Sequence, residues 1–259
     1  MIYSIEKQKR RFIANIGNLF DHPYFHRPNT RTIPDAPFWD LQIRTSSGCS
    51  FAHSAVLLNE GTGCGDFFRK HIVSPSTEEE KMYGMRVVHL GNEDPDMVEN
   101  ILEFSYKFDY APTMATLSDL ISGGEFKAPQ KREDVDDFLP KQVAIYQLAE
   151  KQNMTGLAEL ALAKFIHLAL SQLGNSPGLF TAIEKIWRIW PGGFSMIKSV
   201  ASDILYLNPD NCLDQEFGAE NLTKDLQMEI SADISKWPRS KYWGEIVALI
   251  EIMKIKLEE

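Results

Sequence analysis

The chain has 259 residues, 44% hydrophobic and 24% charged, with fifteen Phe, eight Tyr and five Trp. That much apolar surface can close one or two cores, which excludes a wholly disordered chain. A formal net charge of −9 excludes the broadly cationic surface that binds nucleic acid, and no window approaches the roughly 18 uncharged apolar residues of a membrane span, the stretch Ile246 to Met253 being broken by Glu251.

Residues 1–35 read as an N-terminal helix and linker. The helix, about residues 1–20, sets Ile5, Phe12, Ile13 and Ile16 on its apolar side. Its basic run Lys7–Arg11 reads as a solvated helix face, with a nuclear-targeting or anion-binding patch as the alternative. The four-proline segment that follows is irregular. Residues 40–44 alternate, with Leu41 and Ile43 on one side and Asp40, Gln42 and Arg44 on the other, which predicts a strand. "SSG" then turns the chain into "CSFAH", the return of a hairpin.

Ser54 is read as the N-cap of a short helix ending near Gly61, and "CGDFFRKHI" as another short helix. Residues 74–84 are charged and read as a surface loop, and "MRVVHL" as a buried strand. Asp94 caps and Pro95 opens a helix whose inner face is Met97 or Val98, Ile101, Leu102 and Ser105 or Tyr106. Residues 111–139 mix Gly, Pro and charge and read as a mobile insertion, with one or two helical turns in "MATLSDLI". Two helices follow, starting near Pro140 and separated at Thr155 and Gly156. They face inward through Val143, Tyr146 and Leu148 or Ala149, then through Leu157, Leu160 or Ala161, Phe165 and Leu168. Beyond Gly174 the pattern is helical throughout, with Leu179, Ile183, Ile186 or Trp187, and Trp190 on one stripe and "PGG" as a stop. Strands early and helices late predict an α+β domain followed by an all-α C-terminal extension, residues 174–259.

Several chemistries are weighed against this frame. Cys49, His53, Cys64 and His71 lack the tight paired spacing of structural zinc sites, so no metal or other cofactor is expected. Gly61, Gly63 and Gly65 miss the dinucleotide fingerprint, because residue 66 is Asp66, and instead permit a tight turn between helices. No nucleophile motif stands beside a base, so the chain reads as a non-enzyme. The Trp187–Phe194 stretch reads as core, with a binding surface as the alternative. Three cysteines, Cys49, Cys64 and Cys212, build no disulfide framework, which suits a reducing compartment and points to cytoplasm or nucleus.

The order of phrases carries more than any one of them. Asp40-Leu41 lies in the first strand, Phe51-x-His53-x-Ala55-Val56-Leu57 at the step into helix, and Phe67-Phe68 beyond it. Leu90, Asp94-Pro95 and Tyr106-x-x-Asp109-Tyr110 follow, then Leu148-Ala149-Glu150-Lys151 and Gly156-Leu157. Over residues 36–173 this order resembles the BTB/POZ domain, particularly its fungal versions: short β-strands capped by helices.

The resemblance implies a protein-interaction module that self-associates or recruits protein partners, with a homodimer or a cullin as candidate partners and neither nucleic acid nor membrane. It would serve as substrate adaptor of a cullin ubiquitin ligase, or as a transcriptional or scaffold cofactor. An unrecognised helical active site is the competing class. Asp40, His53, Phe67, Phe68, Ile72, Tyr106 and Tyr110 are the implied fold and partner-interface positions. Two positions depart from the family: Ser54 stands where Lys or Arg often follows the histidine, and Phe108 where a turn glycine is usual.

Overall fold

A computed structural model describes residues 40–58, 63–74, 84–110, 132–171, 177–207, 222–236, 239–244 and 246–248. The expected N-terminal helix with Lys7–Arg11, "MATLSDLI", Gly61 and Cys212 lie outside them. Those residues form a mixed α+β chain, mostly helical, with one four-stranded sheet. No helix among them is long and apolar enough to cross a membrane. The chain divides into two compact units, Met1–Leu117 with Leu148–Leu160, and Ser118–Gln147 with Ala161–Glu259.

The first unit holds the sheet. Strands β1 (Leu41–Thr45) and β2 (Gly48–Ala52) form the expected hairpin, with Ile43 opposite Ser50 and Ser46-Ser47 as the turn. Gly48 takes φ +148°, a backbone conformation that side chains disfavour, so the turn's glycine is a conformational requirement. Two short helices come next, α1 (Ser54–Leu57) and α2 (Gly65–Lys70), then the two-residue strand β3 (Ile72–Val73) and strand β4 (Arg86–Leu90). β4 pairs parallel to β1, with Val88 opposite Ile43, so the intervening elements form the crossover that a parallel pair requires. β3 pairs antiparallel with β4, giving the order β2-β1-β4-β3. Leu41, Ile43, Val87 and Val88 are all buried; consecutive valines point to opposite faces, so both faces of β4 are covered.

Helix α3 (Pro95–Lys107) starts as expected: the Asp94 carboxylate accepts the Asp96 N–H at 3.0 Å, with Pro95 in the first turn. Its buried face is Val98, Ile101, Phe104 and Ser105, with Asn100; Phe104 replaces the expected Leu102. Phe108 ends the helix in the left-handed region at φ +55°, donating its N–H to the Phe104 carbonyl at 2.8 Å.

Helix α4 (Arg132–Lys151) corrects one expectation: residues 132–139, read as part of an irregular insertion, are helical. Pro140, near which the sequence predicts this helix to start, sits inside it, where the missing N–H costs a backbone bond. The break after α4 also shifts. Asn153 takes φ +58°, its N–H bonds to the Glu150 carbonyl at 3.1 Å, and the Met154 N–H reaches the Ala149 carbonyl at 2.8 Å. That is a Schellman ending with Asn in the left-handed position, and Thr155 and Gly156 open the next helix, α5 (Thr155–Ser171). Ala149, Leu157, Ala161, Phe165 and Leu168 are buried as expected.

The second unit is helical, continuing through α6 (Pro177–Ile189), α7 (Met196–Leu207) and α8 (Lys224–Lys236). Its core includes Ile183, Ile186, Trp187, Ile197, Val200 and Ile230. It also buries charge: Lys198 on α7 is fully enclosed, its Nζ 2.8 Å from the Asp233 carboxylate on α8 and 3.1 Å from the Trp190 carbonyl. The Trp187 indole N–H donates to the same carboxylate at 3.1 Å, and the ammonium lies 5.2 Å from the Trp187 ring centre.

Candidate interaction site

Three of the implied positions, Asp40, His53 and Tyr106, meet where the first hairpin feeds α1. Asp40 precedes β1, and its carboxylate accepts the Ser54 N–H at 2.7 Å and the Ser54 hydroxyl. The expected N-cap is thereby corrected. His53 occupies the cap position without a side-chain cap bond, and Asp40 satisfies the first helical N–H from across the hairpin. Ser54 places a neutral hydroxyl where the BTB resemblance would place a cation, so the Asp40 charge is met by hydrogen bonds and not by an ion pair.

Beside it, the Tyr106 hydroxyl of α3 accepts the His53 N–H at 2.8 Å and lies 3.1 Å from His53 Nδ1. Burial pushes the Tyr106 hydroxyl up to about 12; the His53 N–H opposes this and the Asp40 charge adds to it. Ser54 and His53 are thus held by different partners, Asp40 and Tyr106, so no Ser–His–Asp relay forms here.

The remaining implied positions divide into core and surface. Phe67 and Phe68 are fully buried and meet edge to face with ring centres 5.3 Å apart. Tyr110 is buried, and that burial holds its hydroxyl well above the ordinary tyrosine range. Phe108 fills the turn that the resemblance would give to glycine, and its buried ring packs on Phe104 at 6.0 Å. Ile72 is at the surface. β3 hydrogen-bonds to β4 on one side and is an edge of the sheet, and Ile72 and Val73 are 37% and 43% exposed. A two-residue strand gives no period-2 signal, so sequence reading missed this edge.

The groups weighed for other chemistry go separate ways. Cys49 is exposed on β2, Cys64 is buried at the start of α2, and the His71 ring nitrogen meets the Phe67 carbonyl at 2.8 Å. Among the described residues, no three His, Cys, Asp or Glu side chains are grouped to hold a metal ion. Gly63 takes φ +72°, and a methyl group there would meet the Met154 backbone at 3.8 Å, so it serves a turn. In the Trp-rich stretch, Trp187 is core, Trp190 packs on Tyr146 at 5.9 Å, and Phe194 is exposed. No protein-family model matches the chain, and neither a curated protein nor a solved structure matches it.

Proposed function

We propose that this chain is a protein-interaction module of the BTB/POZ type, whose sheet-bearing unit recruits a protein partner or a second copy of itself. Two things support the reading. The phrases that resemble the family fall on consecutive elements, and three of them, at Asp40, His53 and Tyr106, meet in one hydrogen-bonded cluster. The observation that carries it furthest is the sheet edge, where, among the described residues, β3 pairs on one side only and exposes Ile72 and Val73. An edge strand offers backbone N–H and C=O groups to which another strand can add, and β3 offers two residues of such an edge with both side chains exposed.

Within this reading, the adaptor role calls for a cullin on the sheet-bearing unit and a substrate on the helical one. The scaffold role calls for neither. The test is the light-scattering mass of the purified chain over a concentration series, with and without a cullin N-terminal domain. Self-association with a further mass increase on adding the cullin is the adaptor outcome; self-association alone is the scaffold outcome. A monomer that ignores the cullin sinks the adaptor role and self-association alike, and leaves a scaffold whose partner is another protein.

A further inference from the structure

The second unit carries an aromatic clamp that the interaction module proposed above does not use. Arg239 stacks its guanidinium on Tyr206 of α7, with the central carbon 3.5 Å from the ring centre, and lies 4.5 Å from the Trp243 ring centre. The two rings meet edge to face at 6.0 Å. Below them is the buried carboxylate of Asp203, also on α7. Its Oδ2 accepts the Ser240 N–H at 2.9 Å, while its Oδ1 stands 3.7 Å from the nearer Arg239 nitrogen. Ser240 in turn opens a helical turn, its hydroxyl accepting the Tyr242 N–H at 3.2 Å and its carbonyl the Trp243 N–H at 3.1 Å, which sets the Trp243 ring.

Two ring faces and one buried carboxylate make the chemistry that recognises a planar cation: quadrupoles attract the charge, flat rings match a flat guanidinium, and the carboxylate adds a fixed negative charge. Arg239 takes the stacking fully and the carboxylate incompletely, since 3.7 Å exceeds hydrogen-bond length. The clamp also opens to solvent, with Tyr206 half exposed and the Arg239 side chain about a third exposed. A guanidinium that enters from outside and reaches Asp203 at hydrogen-bond length would gain the contact the resident one lacks.

We infer that Tyr206, Trp243 and Asp203 form a recognition site for an arginine side chain of a partner protein, which Arg239 occupies in the resting chain. The site's chemistry selects the occupant: a lysine ammonium is compact and strongly hydrated and has no flat face to lay on the Tyr206 ring. A net charge of −9 favours the approach of such a basic segment. Exchange would free Arg239 and leave the Ser240–Asp203 bond in place, so the loss of the resident cation need not unfold the turn.

The test uses the full chain and two blocked amino acids, N-acetyl-arginine amide and N-acetyl-lysine amide. Binding is followed through the Trp243 indole N–H signal, assigned with Trp243→Phe. In the natural chain, the arginine probe should shift this signal saturably and the lysine probe should not. Arg239→Lys, which keeps the charge and loses the flat stack, should bind the arginine probe at least tenfold more tightly, and adding Tyr206→Ala should remove that gain. Arg239→Ala should behave like Arg239→Lys if it folds. An indole signal indifferent to the arginine probe in both the natural chain and Arg239→Lys overturns the inference, as does equal response to both probes. Neither result touches the sheet-edge reading, which is read out by mass and not by this signal.

Discussion

The two units meet their polar side chains in opposite ways. The sheet-bearing unit meets Asp40 with a neutral hydroxyl and a backbone N–H, and the Tyr106 hydroxyl with a backbone N–H and an imidazole. The helical unit instead encloses a full ion pair, Lys198 with Asp233, and fastens it with an indole N–H and a carbonyl. Hydrogen bonds near solvent lose less when one partner is removed. An enclosed charge left without its counter-ion loses far more, because water cannot reach it.

The largest expected effect therefore lies in the helical unit. Lys198→Ala should cost about 3–5 kcal/mol in urea unfolding, because the Asp233 charge stays buried. Replacing both residues with apolar ones of similar volume, Lys198→Met with Asp233→Leu, should cost much less. Equal losses in the single and double variants would mean that the ion pair does not distinguish this unit.

Next comes Phe108 in the sheet-bearing unit. Phe108→Gly relieves a left-handed backbone by about 1–2 kcal/mol and deletes a buried aromatic ring worth about 3–5 kcal/mol. The expected outcome is a net loss of roughly 2 kcal/mol; a gain would show that the ring contributes little to the core.

The units should also fail at opposite ends of the pH scale. The Tyr106 hydroxyl is raised from 10.0 to about 12 by burial. The unfolded chain then ionises first as pH rises, so stability is intact below pH 10 and falls through pH 12, by about 3 kcal/mol in all. Tyr106→Phe should flatten that alkaline limb, at a cost of about 1–3 kcal/mol for the His53 N–H left without its acceptor. In the helical unit, burial holds the His167 imidazole below its ordinary 6.5. Stability from this group is present above pH 6.5 and is lost as pH falls below it, because the unfolded chain takes up the proton first. His167→Gln should flatten the acid limb, measured as unfolding midpoint against pH.

The same contrast explains what could be read from the sequence. The hairpin, β4 and α3 were legible because their signals are local: alternation around Leu41 and Ile43, two adjacent valines, a capping Asp94 with Pro95. The helical stripe through Ile183, Ile186 and Trp187 was legible for the same reason. Other features hid behind misleading local cues. Pro140 imitates a helix start, and the charged "REDVDD" run reads as loop, which hides the true beginning at Arg132. Asn153 carries the left-handed stop, and glycine at 156 drew attention away from it. Lys198 reads as a surface lysine because its partner Asp233 is 35 positions later on another helix. The Arg239 clamp is likewise made by residues from two segments, and no spacing rule reports it.

The smallest expected change in stability accompanies the largest expected change in function. Ile72→Asp with Val73→Asp alters two exposed side chains on an edge strand, so unfolding should shift by only about 0.5 kcal/mol. The most direct measurement is light-scattering mass of the natural chain and of this variant, over a concentration series and with a cullin N-terminal domain added. The account predicts that the natural chain gains mass, through a second copy or the cullin, and that the folded variant stays a monomer under every condition. A natural chain that remains monomeric throughout, or a variant that assembles as well as the natural chain, would contradict it.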